Sequence, residues 1–277
     1  MNRKRVRTVF SAAAAFVAAV APARADLLVS PIRIVLTAEN PEARVRVSNQ
    51  SDQERRVRIR LIDLTATEDG GYRTPTLEER DATSAARILA VGPGDIVLAP
   101  NAAAETTIRI ADPDIAFAED GPFELRSHLL FETGAASAAV RRAGGRLADL
   151  SLDMASGVSI PVLVRGDSDT PTVAIADARF RRRPDGALVL STLIEGSGPL
   201  SPYGAIEVFW RGRSDVAPHR IGRVANITVY REAPSRTVET SLAEDDYADG
   251  VLTVRYVGAE EFTGVLFAER AFDVAPR

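Results

Sequence analysis

The residue types that most often carry acid–base or metal chemistry are few and isolated in this sequence. The two histidines, His128 and His219, have no partner at metal-ligand spacing, and the chain contains no cysteine. Structural zinc sites are built from cysteine and histidine at close spacing. We therefore expect no metal site and no cofactor. His128 lies in an apolar, strand-like segment, which favours a structural side chain over a catalytic base.

Motifs for nucleotide binding and for nucleophilic catalysis are missing from the sequence as well. The segment 196–198 reads Gly-Ser-Gly but lacks a third glycine and a following helical pattern. Acidic clusters at 112–120 and 244–249 do not have calcium-loop spacing and are typical of solvated turns. The sequence therefore favours a protein that binds other proteins over an enzyme, and it predicts no catalytic residue and no small-molecule substrate.

Residues 1–25 have the pattern of a cleaved export signal. Basic residues at positions 3, 4, 5 and 7 precede an apolar run over 9–21, and Ala23-Arg24-Ala25 matches a signal-peptidase cleavage site. The apolar run is too short to span a bilayer comfortably. We therefore predict a periplasmic protein whose mature chain begins at Asp26.

The mature chain would be acidic and free of lysine. Residues 1–25 hold five of the 34 basic residues and no acid, which leaves 29 basic and 38 acidic residues and a net charge of −9. Lys4 is the single lysine of the sequence. This charge balance argues against nucleic acid as a partner.

Short runs of alternating apolar and polar residues dominate the rest of the chain. In Ala43–Ser48 and Val57–Leu61, aliphatic residues alternate with arginine, which is typical of strands with one buried face. Helical periodicity is scarce. The other predicted strands in this half are Leu27–Leu36, Arg87–Val91, Asp95–Leu98, Thr106–Ile110 and Phe123–Glu132.

The longest alternation runs from Leu150 to Val164. The apolar even positions are Leu150, Leu152, Met154, Val158, Ile160, Val162 and Val164. One long strand with one apolar face fits this pattern, and so does a hairpin that turns at 156–157. Pro161 cannot donate a backbone hydrogen bond, so we expect it at a sheet edge or a bulge.

A polar segment over 166–171 predicts a domain boundary. The strands predicted after it are Thr172–Phe180, Ala187–Ile194, Ala205–Trp210, Ala225–Tyr230, Arg236–Ser241, Gly250–Val257 and Phe262–Phe272. Seven strands in a domain of this size are typical of an immunoglobulin-like sandwich. The sequence therefore predicts an all-β protein of two immunoglobulin-like β-sandwich domains in tandem, residues 26–166 and 167–277.

The first domain resembles the periplasmic pilus-assembly chaperones of the chaperone–usher pathway, the PapD-like family. The order and spacing of several segments carry the resemblance: Ser30–Leu36, Val45–Asn49, Val57–Ile59, Ile96–Ile110 and Leu150–Arg165. In that family the last strand of the first domain is added to the sheet of a pilin subunit. The resemblance implies that this chain binds pilin-like subunits and delivers them to an outer-membrane usher. The implied subunit-binding apolar residues are Leu150, Leu152, Met154, Val158 and Ile160.

The family also binds the subunit's C-terminal carboxylate between two basic side chains in the cleft between its domains. Arg33 matches the first of them, but Pro161 stands at the position of the second, a lysine. Arg165 is the candidate replacement, because it lies four residues further on and an arginine can bind a carboxylate bidentately. This departure indicates a divergent member of the family.

A structural or adhesive surface protein is the alternative hypothesis. In that case Leu150–Val164 would be ordinary core of a β-sandwich. An enzyme or a small-ligand binder would instead need a deep pocket with convergent polar groups.

Overall fold

The computed structural model describes residues 26–118, 121–133, 157–167, 169–243 and 246–275. The predicted export signal and residues 134–156 lie outside this part of the chain. The described residues are mostly strands, arranged as two β-sandwiches. The predicted fold class is therefore confirmed. No helix among the described residues is long and apolar enough to cross a membrane.

The first sandwich packs a four-stranded sheet on a five-stranded sheet. Its elements are β1 (Leu27–Ser30), β2 (Ile34–Leu36), β3 (Glu42–Asn49), β4 (Arg55–Ile62), β5 (Thr65–Ala66), β6 (Tyr72–Arg73), α1 (Leu77–Thr83), β7 (Leu89–Val91), β8 (Asp95–Leu98), β9 (Ala103–Ile110), α2 (Pro113–Ala116), β10 (Glu124–Thr133) and β11 (Gly157–Arg165). The strand orders are β1-β3-β9-β7 and β2-β11-β10-β4-β8. Strands β5 and β6 form a separate hairpin.

Alternation along the strands determines which side chains reach the core between these sheets. In β3, Val45 and Val47 are fully buried while Arg44 and Arg46 are exposed. Successive strand residues point to opposite faces of a sheet, so this pattern commits the aliphatic set to the core. Each fully buried aliphatic side chain stabilises the fold by about 1.5–3 kcal/mol, and this burial stabilises a sandwich that has no disulfide bonds.

The second sandwich packs a three-stranded sheet on a four-stranded sheet. Its elements are β12 (Thr172–Arg182), β13 (Leu188–Ser197), β14 (Tyr203–Gly212), β15 (His219–Thr228), β16 (Ser235–Ser241), β17 (Gly250–Gly258), a short 3₁₀ helix (Glu260–Phe262) and β18 (Leu266–Val274). The strand orders are β12-β13-β16 and β15-β14-β17-β18. Each of the seven strands overlaps a segment that the sequence predicted.

Strand β11 is the described part of the long alternation. Val158, Ile160, Val162 and Val164 face the core of the first sandwich. On the opposite face, Leu163 and Arg165 are also buried, and Arg165 contacts the second sandwich. Leu150, Leu152 and Met154 lie outside the described residues, so the choice between a long strand and a hairpin stays open.

Candidate functional site

The candidate site has two parts, the outer edge of β11 and the cleft between the two sandwiches. Strand β10 pairs with β11 along the whole length of β11. On its other side, β11 pairs with β2 only over Val162–Val164. No described strand pairs with the outer edge of Gly157–Pro161, which we call the open edge. An unpaired edge presents backbone donors and acceptors that another chain can use.

Two predicted subunit-binding residues on β11 belong to the protein's own core. Ile160 is 2% exposed and is part of the core of the first sandwich. Val158 is half-buried and packs against the same core. The prediction that Ile160 contacts a partner is therefore corrected, because its side chain points between the two sheets rather than outward.

Arg33 lies in the cleft between the two sandwiches, and its role in binding a partner's carboxylate stays a prediction. It precedes β2, and both of its terminal nitrogens donate to the carboxylate of Glu261, at 2.9 and 2.7 Å. Its guanidinium also stacks on the ring of Tyr203, with 4.3 Å to the ring centroid. Both partners belong to the second sandwich, so Arg33 helps to join the two domains.

Arg165 is buried in the same interface, and its hydrogen-bond donors are occupied. Its Nε donates to Glu124 at 2.9 Å, its Nη2 donates to the carbonyl oxygen of Ser201 at 2.8 Å, and its Nη1 pairs with Glu261. Glu124 accepts two further hydrogen bonds from Ser201, from Oγ at 2.6 Å and from the backbone N–H at 3.0 Å. Arg165 was the candidate second cation for a partner's carboxylate, and in the structure carboxylates of this chain already pair with its guanidinium. Its role in binding a partner stays a prediction.

Glu261 links the two predicted arginines. Burial by itself raises the pKa of this carboxyl, but hydrogen bonds and positive charge from Arg33, together with the charge of Arg165, outweigh burial and lower it. The carboxylate is therefore ionised at neutral pH and compensates both guanidinium groups. Sequence reasoning missed Glu261, Glu124 and Ser201. For Glu124 a signal existed, because an acid at the start of a largely apolar strand needs a buried partner.

A second set of contacts joins the β5–β6 hairpin to the second sandwich. Arg126 forms an ion pair with Glu232, and both side chains are largely buried. Its guanidinium stacks on Tyr230, with 3.7 Å to the ring centroid. The backbone N–H of Ala66 in the hairpin donates to Glu232 at 3.1 Å. The hairpin thus closes one side of the cleft.

A pocket opens in the cleft beside Pro161, the last residue of the open edge. Its volume is about 170 Å³, and we call it the cleft pocket. It is lined by Ile32, Arg33, Ala66, Thr67, Gly70, Gly71, Tyr72, Pro161, Tyr203, Asn226, Thr228, Tyr230, Ala233 and Arg236. Arg165 lines a separate pocket of about 380 Å³. The open edge and Arg33 therefore meet at a pocket that Arg165 does not line.

His128 is buried behind this pocket and has no acid–base partner among the described residues. It is 1% exposed, pairs with Pro161 across β10 and β11, and makes an edge-to-face contact with Tyr72. Neither ring nitrogen has a hydrogen-bond partner in the described part of the chain. Burial, with a smaller contribution from the charge of Arg126, lowers the pKa of His128 to about 3. The imidazole is therefore neutral at physiological pH.

Acidification is expected to destabilise the fold through His128. Its folded-state pKa of about 3 lies below the 6.5 of a free side chain, so between these values the unfolded chain binds a proton that the folded chain does not. The contribution of neutral His128 to the free energy of unfolding is therefore fully present above pH 6.5. Below pH 6.5 this free energy falls by about 1.4 kcal/mol per pH unit. Urea unfolding at pH 7 and pH 5 should show a loss about 2 kcal/mol larger for the wild type than for His128→Leu.

Protonation of paired carboxylates also destabilises the fold on acidification. Because this effect is the same in the wild type and in His128→Leu, the difference between the two proteins isolates His128. Equal losses in the two proteins would contradict the prediction, because they would mean that the folded chain accepts the proton as readily as the unfolded chain.

The described residues contain no group of three or more His, Cys, Asp or Glu side chains that could hold a metal ion.

The chain is similar to several solved structures. No protein-family model and no curated protein sequence matches the chain. The chain is similar to the CupB2 chaperone of Pseudomonas aeruginosa, with 14% identity and a TM-score of 0.43 over 90% of this chain and 100% of that one. It is also similar to the SafB chaperone of Salmonella enterica, solved in complex with the SafA pilin, with 14% identity and a TM-score of 0.43 over 92% and 99% of the two chains.

A third similar structure comes from archaic chaperone–usher Csu pili of Acinetobacter baumannii, a complex of CsuC with the tip subunit CsuE. The identity is 12% and the TM-score 0.41, over 91% of this chain and 100% of that one. Other similar structures are described as the periplasmic chaperone SfaE and the class 5 fimbriae chaperone CfaA.

Proposed function

We propose that this chain is a periplasmic chaperone that binds pilin-like subunits by adding a β-strand to them and delivers them to an outer-membrane usher. The observation that carries the proposal is the open edge of β11 over Gly157–Pro161, which ends at the cleft pocket. In β-strand addition, main-chain hydrogen bonds supply affinity and alternate side chains fill pockets in the partner. The open edge offers the main-chain groups for such a ladder.

The side chains for the partner's groove come from the residues that precede β11. Leu150, Leu152 and Met154 continue the alternation of β11 towards the N-terminus. Val158 and Ile160 are committed to the protein's own core, so the donor residues are those outside it. Burial of each leucine or methionine contributes about 1.5–3 kcal/mol. Burial of three such side chains offsets only part of the entropy cost of ordering a strand. The main-chain hydrogen bonds to the partner must supply the remaining favourable free energy.

The polar contacts between the sandwiches hold the open edge and the cleft in a fixed relation. Three arginines of the first sandwich form ion pairs with acids of the second. Arg33 and Arg165 pair with Glu261, and Arg126 pairs with Glu232. A rigid relation between the edge and the cleft favours binding, because less freedom is lost when a subunit docks. The export signal over 1–25 is consistent with action in the periplasm.

The decisive experiment separates donor residues from core residues. Leu152→Asp and Met154→Asp are expected to leave the melting temperature unchanged and to abolish capture of a pilin-like subunit by the tagged mature chain. Ser151→Asp is the matched control, because it adds the same charge at an odd position of the alternation and should retain capture. The partner is identified by mass spectrometry with the wild type and then co-expressed with each variant.

The alternative, a structural or adhesive sandwich, predicts the opposite outcome for the same variants. If Leu152 and Met154 were core, an aspartate at either position would bury a charge and unfold the protein, which a melting curve shows. Normal capture by both Asp variants would also reject the proposal. Because the chain has no cysteine, Met154→Cys carries a single thiol, and a photoreactive maleimide attached there should cross-link to the bound subunit.

A further inference from the structure

The pocket of about 380 Å³ lies where the chain passes from β11 into the second sandwich, and we call it the linker pocket. It shares no lining residue with the cleft pocket. Its apolar wall contains Val35, Phe117, Leu200 and Phe262. Leu200 and Phe262 are buried, and Phe117 packs on Phe123 with 5.9 Å between the ring centroids. A concave site with such a wall favours an apolar group of a ligand.

The single cation in the lining of the linker pocket is already neutralised. Each nitrogen of the Arg165 guanidinium is bonded to a group of this chain: Nε to Glu124, Nη1 to Glu261 and Nη2 to the carbonyl oxygen of Ser201. Glu261 in turn compensates Arg33 as well as Arg165. These buried charges therefore balance among themselves and do not offset the other acids of the pocket.

Three further carboxylates line the linker pocket without a cationic partner. Glu39 lies in the turn after β2, and Asp167 and Asp169 lie in the linker after β11. None of the three forms an ion pair with a described residue. All three residues are exposed, so they lie where a ligand can reach them. The pocket therefore combines an apolar wall with uncompensated negative charge, which favours a cation on an apolar stem.

The wall of the linker pocket is fixed by the backbone. The N–H of Gly166 donates to the carbonyl oxygen of Phe123 at 3.1 Å, and the N–H of Asp167 donates to that of Gly121 at 3.3 Å. The carboxylate of Asp167 accepts from the N–H of Gly121 at 3.1 Å. A Cβ atom at Gly166 would stand 2.5 Å from the Phe123 ring, so these segments are in direct contact. A pocket that is formed before the ligand arrives loses less freedom on binding.

We propose that the linker pocket binds a lysine side chain of another polypeptide. The four methylene groups of lysine pack on apolar surface while its ammonium group, which has three donors, stays at the polar rim. Glu39, Asp167 and Asp169 supply carboxylate acceptors there, and Phe117, Leu200 and Phe262 supply the wall. A second mature copy cannot provide the lysine, because the chain after residue 25 contains none. The proposal goes beyond the proposed function, since it requires no strand at the open edge.

Three short peptides test the proposal against the mature protein. All have acetylated and amidated ends and the sequence Gly-Ala-X-Ala-Gly, where X is lysine, side-chain-acetylated lysine or norleucine. The free diamine cadaverine serves as a fourth probe, because it carries the same ammonium group without a polypeptide. Dissociation constants are measured by NMR titration with the wild type and with Phe117→Ala, Glu105→Gln and the double variant Glu39→Gln, Asp167→Asn.

The wild type is expected to bind the lysine peptide about 10-fold more tightly than either uncharged peptide or cadaverine, as for charge-assisted hydrogen bonds. High salt should weaken the lysine peptide alone. The double variant keeps the shape of both side chains and should remove most of the difference. Phe117→Ala should weaken the lysine and norleucine peptides alike. Glu105→Gln, which removes an exposed acid of β9, should behave as the wild type.

A carbodiimide, which joins a carboxylate to an amine as an amide, provides an independent measurement. Because the mature chain has no lysine, the peptide supplies the only side-chain amine. Peptide mapping should place the cross-link at Glu39, Asp167 or Asp169. Melting curves confirm that each variant is folded.

Four results would overturn the proposal. The first is equal affinity of the wild type for the lysine and norleucine peptides, or no binding of either, and the second is discrimination that survives in the double variant. The third is cross-links spread over exposed acids such as Glu105. The fourth is cadaverine bound as tightly as the lysine peptide, which would assign the pocket to free amines instead of a polypeptide.

Discussion

Glu124→Ala is expected to lower the free energy of unfolding by about 3–5 kcal/mol. Glu124 and Arg165 are each about 4% exposed at the side chain and are joined at 2.7 Å. Removal of the carboxylate leaves a buried guanidinium with one acid, Glu261, shared with Arg33. It also leaves the N–H and hydroxyl of Ser201 without their acceptor. Urea unfolding followed by circular dichroism measures the loss.

Glu132→Ala provides a matched control on the same strand. Glu132 pairs with Arg60 at 2.8 Å, but the two side chains are 38% and 50% exposed. Solvent screens such a pair, so the expected loss is below about 1 kcal/mol. A loss from Glu124→Ala no larger than that from Glu132→Ala would contradict the view that the interdomain network is desolvated.

Ile160→Ala is expected to lower the free energy of unfolding by about 2–5 kcal/mol. Ile160 is 2% exposed, and truncation leaves a cavity between the sheets of the first sandwich. Val97→Ala is the control, because Val97 is 54% exposed at a sheet edge and should change stability by no more than about 0.5 kcal/mol. Both changes are measured by urea unfolding.

Ile160→Ala also tests whether the side chain of Ile160 packs in the core or contacts a partner. If Ile160 served a partner rather than the core, Ile160→Ala would leave stability unchanged and weaken subunit capture. The structure predicts the reverse: lower stability, with capture retained under conditions in which the variant is folded. With loss of capture in Met154→Asp and Val158 packed against the core, these results would place the boundary between donor and core residues within 155–157.

Local alternation was enough to determine much of the architecture. The pattern around Val45 and Val47 correctly placed aliphatic residues inside and arginines outside. Strand faces are a local property, because side chains alternate with a period of two wherever the backbone is extended. Helix α1 was missed, although Thr76 and Glu79 form a capping box whose spacing is visible in the sequence. The sequence carried that signal in a segment too short to show helical periodicity.

The candidate site depends on contacts that no local pattern contains. Arg33 pairs across the cleft with Glu261, and the partners of Arg165 lie far from it along the chain and in both sandwiches. Arg165 is the last residue of β11 and Arg236 the second residue of β16, and the local sequence does not show which acids either arginine meets. Only the tertiary structure shows that the guanidinium of Arg165 pairs with Glu124 and Glu261, and that no carboxylate among the described residues lies within ion-pair distance of Arg236. The physical reason is that the period of a strand is set by neighbouring residues, while the pairing of a buried charge is set by whichever groups the packing of two domains brings within a few ångströms.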